Sequence, residues 1–319
     1  MLSFKRFTSL NESKNTLGAD INEILLGYYM LGGKWTGFFN AASVKKQLKA
    51  RQDQVSEAEF EMRSGQAKAM AKETFKWAKA NGYKGAVKKA WWTARPGELG
   101  NAVGFEVDSR KNPTDTLVQF ADKSFLGLSA KSTKQTKGDI GFKNPGVGTI
   151  NRALGIDLNT IITKAEKVFA NKWDLPAAKS ARKKAIRADK EIEKASNEAR
   201  TKVLSQLTNA YMKTLKSMPE KKVKEYLLSD WMDVGEAVKP AYIKVTGNGK
   251  KEPFTATILD PLKNNKAALV QSNKKLELKK VGNDSVGVIV GGKRIMKMRF
   301  KYESQAMASS MKMSGDPWA

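Results

Sequence analysis

Asp115, Ser129 and Lys131 are the residues whose types and spacing suggest chemistry. They lie in one stretch, NPTDTLVQFADKSFLGLSAK, from Asn112 to Lys131. Two apolar runs with strand character are joined by Ala121, Asp122 and Lys123. Alternate residues of a strand share a face. Asp115, Leu117 and Gln119 therefore point one way, and Thr116, Val118 and Phe120 the other. On the second run Gly127, Ser129 and Lys131 share a face, and Leu126, Leu128 and Ala130 face a core. One carboxylate and one lysine then converge at the edge of a two-strand unit. That layout suits metal-assisted hydrolysis of a phosphodiester. A carboxylate binds the ion, the ion generates the nucleophile and offsets developing charge, and a lysine orients or activates the attacking water.

The rest of the composition fits a polyanionic substrate. The chain has 319 residues, with 58 Lys and Arg against 32 Asp and Glu, a formal charge of +26. That excess favours nucleic acid as partner. Hydrophobic residues make up 40%, enough for a real core. The chain has no cysteine and no histidine. Disulfides, zinc fingers, thiol catalysis, His-dependent triads and zinc deaminases are excluded. Any metal must sit on oxygen ligands, which points to Mg2+ or Mn2+. No apolar run approaches the roughly 18 residues of a membrane span, and residues 1–14 lack the apolar centre of a secretory signal. Glycine-rich nucleotide fingerprints are absent.

The elements that must position these residues read as follows. Asp20 to Gly32 has apolar positions at Ile21, Ile24, Leu25, Tyr28 and Tyr29, an amphipathic helix with Asp20 and Glu23 as a capping pair. Ala41 to Asn81 is expected to be mostly helical. Val103 to Lys131 reads as three short strands, and Asn159 to about Asp233 as helices broken near Pro176 and Pro219. From Pro240 onward, five alternating runs read as one antiparallel sheet. The expected class is α+β. The expected division is a leader at 1–19, a core at 20–158, a helical region at 159–235 and a β-rich region at 236–319.

Pro113-Thr114-Asp115 and Ser129-Ala130-Lys131 resemble the paired motifs of the PD-(D/E)xK nuclease superfamily. The resemblance covers at most residues 20–150. It implies a restriction-endonuclease-like mixed sheet flanked by helices, here with a helical insertion and the C-terminal antiparallel sheet. It implies a metal-dependent DNA endonuclease using Mg2+ or Mn2+, with catalytic Asp115, Lys131, Ser129 and Glu23. Glu23 matches the acidic residue that the family carries on its first core helix. The chain departs from the pattern at Ser129, where the family has a carboxylate. Glu23, Glu98, Glu106 or Gln119 is then left to complete the metal site, or the site is impaired and the protein is a non-catalytic DNA binder. Each residue also has a plain structural reading: Asp115 in a turn, Glu23 as a helix cap, Lys131 at a solvated strand end. Nucleases of this type often dimerise, which leaves monomer and homodimer both open.

Several basic residues are candidates for DNA contact: Lys134, Lys137 and Lys143 after the motif, Arg182 and Lys183 in the helical region, and Lys297, Arg299, Lys301 and Lys312 near the C-terminus. Trp91 and Trp92 beside Lys88, Lys89 and Arg95 suit either base stacking or core packing. The first fourteen residues, MLSFKRFTSLNESK, resemble capsid-targeting leaders of internal head proteins in contractile-tailed phages, and Leu10-Asn11-Glu12 matches their protease site. That resemblance implies a phage source, association with a capsid, and a location in the host cytoplasm or virion interior.

Overall fold

A computed structural model describes residues 14–94, 97–107, 112–136, 142–232, 234, 240–304 and 306–318. Residues 1–13 of the expected leader, with Leu10-Asn11-Glu12, and Arg95 and Lys137 lie outside them, and residues 14–19 belong to the first helix. The chain forms two compact units, one of residues 1–140 and 236–263, the other of 141–235 and 264–319. Among the described residues, no helix is long and apolar enough to cross a membrane.

The first unit is a five-stranded mixed sheet with helices packed on it. Its elements are α1 (Lys14–Met30), α2 (Ala41–Gln52), α3 (Glu57–Ala80), β1 (Val87–Trp92), α4 (Glu98–Val103), β2 (Thr116–Phe120), β3 (Phe125–Thr133), β4 (Tyr242–Asn248) and β5 (Thr255–Leu259). The strands lie in chain order, and only the β3–β4 pair is parallel. The alternation read from the sequence sets which face is buried against the helices. Val118, Phe120, Leu126, Leu128, Ala130, Ile243 and Val245 pack with Ile21, Ile24 and Leu25 of α1 and Ala67 and Met70 of α3. Ser56 caps α3, its hydroxyl accepting from the Glu59 N–H at 3.2 Å.

Three expectations change here. Helix α1 begins at Lys14, so Asp20 and Glu23 are interior residues and not an N-terminal capping pair. Asp20 instead meets the Arg51 guanidinium at 2.5 Å, a tertiary ion pair that local sequence does not encode. The segment after Val103 is not a strand: α4 ends at Val103, Gly104 adopts φ 79°, and Glu106 is exposed in irregular chain. The runs containing Tyr242–Asn248 and Thr255–Leu259 leave the C-terminal sheet and complete the first one. A strand pattern fixes which residues alternate, not which strand they pair with. Every residue of β4 is buried, as a central strand requires.

The second unit holds α5 (Val147–Leu154), α6 (Leu158–Lys172), α7 (Lys179–Ala188), α8 (Lys190–Ser217), α9 (Glu220–Tyr226) and α10 (Asn265–Gln271). These accompany an antiparallel sheet of β6 (Leu276–Val281), β7 (Ser285–Val290), β8 (Lys293–Tyr302) and β9 (Met311–Pro317). Its core buries Leu207, Tyr211, Trp231, Met296, Met298 and Phe300. Methionine fills irregular gaps well, and Met307, Met311 and Met313 are buried in the same core. The Tyr211 hydroxyl is satisfied there by the Tyr226 hydroxyl at 3.1 Å and by Met298 Sδ at 3.2 Å. The molecule is thus α+β, with a mixed sheet flanked by helices and a separate antiparallel sheet.

Candidate active site

Asp115 stands at the entry to β2 because the preceding chain is folded into a hydrogen-bonded turn. Asn112 Oδ1 accepts from the Thr114 N–H at 3.2 Å and the Thr114 hydroxyl at 2.6 Å. Its amide Nδ2 donates to Pro240 O at 3.0 Å. Thr93 flanks the turn, its N–H donating to Asp115 O and its hydroxyl to Thr114 O. Asn112 is 2% exposed, so these partners have no water to replace it. Asn112→Ala should therefore lower stability by roughly 2–3 kcal/mol, the cost of stranding buried polar partners; chemical denaturation measures it.

Gly127 lies beneath the same turn. A Cβ there would stand 2.1 Å from Thr114 Oγ1 and 2.9 Å from Tyr242 Cβ. Gly127→Ala should cost about 1–3 kcal/mol by overpacking and weaken any activity of Asp115. A thermal melt beside an activity assay checks both.

The Asp115 carboxylate turns toward β3. Oδ2 accepts from the Ala130 N–H at 2.9 Å, with the Ser129 hydroxyl at 3.4 Å and Lys131 Nζ at 3.5 Å. Burial raises the Asp115 pKa; the Lys131 charge and the hydrogen bonds oppose that rise. Ser129 is fully buried, whereas the Lys131 side chain is 57% exposed and reaches solvent above the carboxylate.

Glu23 comes from α1. Trp92 Nε1 donates to its carboxylate at 2.9 Å, and the Thr116 hydroxyl donates to its backbone O at 2.7 Å. Trp92 and Thr116 are cross-strand partners, so one rung of the β1–β2 ladder anchors the helix residue. The carboxyl is pushed up to about 7, first by burial and then by the negative charge of Asp115, with Trp92 and Lys131 acting against the rise. The two carboxyl groups thus share one electrostatic site. Of the two tryptophans, Trp92 serves this anchor and is faced by the Arg51 guanidinium at 5.2 Å, while Trp91 meets the rings of Phe39 and Phe125.

The other acidic candidates do not join the cluster. Glu98 opens α4 and lines a cavity with Phe38, Phe39, Lys89 and Trp91. Glu106 is exposed outside any strand. The amide of Gln119 reaches back to Lys123 O at 3.4 Å, within the hairpin turn at the far end of β2. The Ser129 position is therefore not compensated by any of these three.

Lys244 is the residue that the sequence did not single out. It is the β4 register partner of Ser129, and it is 6% exposed. Burial, with the nearby charge of Lys131, lowers its pKa to about 8. Its only sequence signal was a lysine inside an otherwise apolar strand, and assigning it to this site required knowing that β4 pairs with β3.

Magnesium is commonly held by one or two carboxylates, with substrate phosphates and water filling the remaining positions. Glu23 and Asp115 provide such a pair of hard oxygen donors. Among the described residues no three acidic side chains cluster as a metal cage. The donor set thus fits a magnesium or manganese ion that shares its coordination with substrate, not one locked in protein.

The basic candidates are distributed along both units. Lys134 pairs with Glu59 at 3.5 Å, and Lys143 Nζ donates to Ser229 O at 3.1 Å. The Arg182 guanidinium donates to Pro176 O and Ala177 O, which ties down the chain before α7, while Lys183 is half-buried on that helix. Lys297, Arg299 and Lys301 line the face of β8 opposite buried Met296, Met298 and Phe300. Lys312, the β9 partner of Lys301, pairs with Glu303 at 2.5 Å.

No family model matches the chain, and no curated protein does. Among solved structures, it is similar to the restriction endonuclease MspI, crystallised in complex with its cognate DNA. That similarity has 16% identity and a TM-score of 0.33, and it spans 94% of this chain and 98% of that one. So slight a likeness carries no weight beside the geometry of the site itself.

Proposed function

We propose that the protein is a metal-dependent endonuclease that hydrolyses phosphodiester bonds in DNA. The observation that carries this reading is the electrostatic coupling of two carboxyl groups, buried Glu23 and half-buried Asp115, with the Lys131 ammonium 3.5 Å from Asp115. Glu23 and Asp115 would hold Mg2+ or Mn2+. When bound, the ion supplies Lewis acidity and lowers the pKa of water. Asp115 is fixed for this by the Ala130 N–H, and Glu23 by Trp92. Lys131, solvent-facing and tethered to Asp115, is placed to orient the attacking water or to meet the developing charge on the phosphate. The formal charge of +26 favours a polyanionic substrate.

The fully buried Ser129 favours a second reading, a DNA-binding protein on an inherited nuclease fold without catalysis. The leader resemblance would make either protein phage-encoded and carried inside a capsid. Incubation with supercoiled plasmid and Mg2+ or Mn2+ separates the two readings. Nicking or linearisation supports the nuclease, and intact plasmid with a salt-sensitive mobility shift supports the binder.

A further inference from the structure

An uncovered aromatic surface lies beside Asp115 on the sheet face turned away from α1 and α3. Ala90 packs in the helix-side core, so Lys89 and Trp91 of β1 project from the opposite face. Trp91 is the register partner of Leu117, two residues beyond Asp115. It is thus a diagonal neighbour of Asp115 across the β1–β2 pair, at a separation of about 7–8 Å. Phe39 stands beside it, with ring centroids 6.4 Å apart. Phe39 is 52% exposed, one of three large hydrophobic side chains so open among the described residues. The backbone holds it there. The Phe39 N–H donates to Ala90 O at 2.8 Å, and the Ala90 N–H donates to Gly37 O at 3.1 Å. Gly37, at φ 91°, permits this approach, because a Cβ there would collide with Lys88 O. Phe38 takes the inward position in the core, which leaves Phe39 outside.

The cavity in front of these rings points to the kind of ligand. It measures about 400 Å³, within the roughly 300–1,000 Å³ of small-molecule sites. Lys89 and, from α4, Glu98 and Asn101 line it together with the two rings. Glu98 and Asn101 are three residues apart and share one face of that helix. Among the described lining residues, one ammonium and one carboxylate offset each other, so the cavity has no excess charge to draw in a phosphate. A flat ring with polar edges suits it. Its π face meets Phe39 and Trp91, and its edge meets donors and acceptors on Lys89, Glu98 and Asn101. A nucleobase has that chemistry, and the formal charge of +26 favours the strand that carries it.

We propose that Phe39 and Trp91 form a stacking platform for an unpaired nucleobase of a DNA strand whose phosphodiester lies at Asp115. The nearness to a scissile bond rests on the nuclease reading; the stacking itself does not. Single-stranded or locally opened DNA is then the preferred substrate, because a base within a duplex is covered by its neighbours and must be unstacked to enter a pocket. The two adjacent tryptophans divide the work. Trp91 faces the substrate, and Trp92 turns to the helix side to hold Glu23.

The test compares affinity for a single-stranded oligonucleotide and for a blunt duplex of the same length, in chelator so that nothing is cut. Phe39→Ala should weaken single-strand binding about tenfold, as loss of a stacking aromatic does, and leave duplex binding unchanged. The slope of log K against log salt should stay the same, since no phosphate contact is lost. Phe39→Tyr should keep wild-type affinity. A 2-aminopurine base scanned along the oligonucleotide should be quenched at one position by the wild-type protein and not by Phe39→Ala. Thermal melts confirm folding, and if Phe39→Ala fails to fold, the wild-type scan decides, with quenching at no position counting against the platform. Wild-type single-strand affinity in Phe39→Ala would overturn it. So would an equal loss toward blunt duplex, which would set the ring against the backbone. Phe39-dependent binding of a free nucleoside, with no change toward the oligonucleotide, would mark a free-nucleotide site and overturn it too. Plasmid cutting lost in Asp115→Ala alongside unaltered Phe39→Ala binding removes the platform and keeps the nuclease. Phe39-dependent single-strand binding with no cutting by wild type does the reverse.

Discussion

Asp115→Ala leaves supercoiled plasmid intact under conditions in which the wild-type protein nicks it, and it still shifts the plasmid in a salt-dependent way. That is the largest expected effect. The carboxylate is the best-fixed group of the site, held by the Ala130 N–H at 2.9 Å with Lys131 beside it. Its loss removes one of the two carboxylates proposed to bind the metal and releases Lys131 from its partner. The expected drop in cleavage is on the order of 10³-fold or more, larger than loss of a single transition-state donor. Lys131→Ala should fall by on the order of 10²–10³-fold, because it leaves the proposed metal ligands in place and removes one cation. Binding should change little in either variant, since most of the chain's positive charge lies elsewhere. Plasmid relaxation followed on gels, with mobility shifts in parallel, reads both quantities. Wild-type protein that leaves plasmid whole with both metals would retire catalysis and favour the binding protein that Ser129 suggests.

Glu23→Gln is expected to make the metal-free protein more stable at pH 8 while abolishing cleavage. Glu23 is raised from 4.5 to about 7, with burial the main cause. Its folded-state pKa therefore lies above the unfolded value. Between these values the native state holds more protons than the unfolded state, so stability falls as pH rises through this window. Ionised Glu23 costs the fold roughly 2–4 kcal/mol above pH 7. Below about pH 4.5 the group is protonated in both states and the cost vanishes. Glutamine keeps a neutral acceptor for Trp92 Nε1 and removes that cost. Denaturation in chelator at pH 4.5 and pH 8 should show a stabilised variant only at the higher pH. A variant no more stable at pH 8 would mean that Glu23 is well solvated in its charged form and not poised for a cation. Metal affinity in the wild-type protein should rise with pH across the same interval, because the ligand must be deprotonated.

This arrangement explains why local rules succeed in one part of the site and fail in another. The β2–β3 hairpin was legible because its two strands adjoin in the chain and alternate strictly. Asp115, Ser129 and Lys131 follow from that alternation alone. The helix carrying Glu23 was legible too, but its start was misplaced, since Asp20 satisfies a capping rule while its carboxylate is engaged by Arg51 from α2. Glu106 was placed on a strand because short apolar runs do not distinguish a strand from the end of a small helix. The roles of Trp92 and Thr116 were hidden, because each acts on Glu23 from 69 and 93 residues away.

The sequence by itself determined the chemistry available: oxygen ligands only, lysine as the partner, a polyanion as the favoured substrate, and an α+β chain with the Asp115 hairpin. These follow from composition and from periodicities shorter than one element. Tertiary structure decided which groups meet. It brought Glu23 to Asp115, kept Glu98 and Glu106 out of the cluster, and set Lys244 beside Ser129 across a parallel pairing that spans more than a hundred residues. The physical reason is that a strand's partner is chosen by burial of both its faces in the assembled sheet, and no local pattern in the chain carries that information.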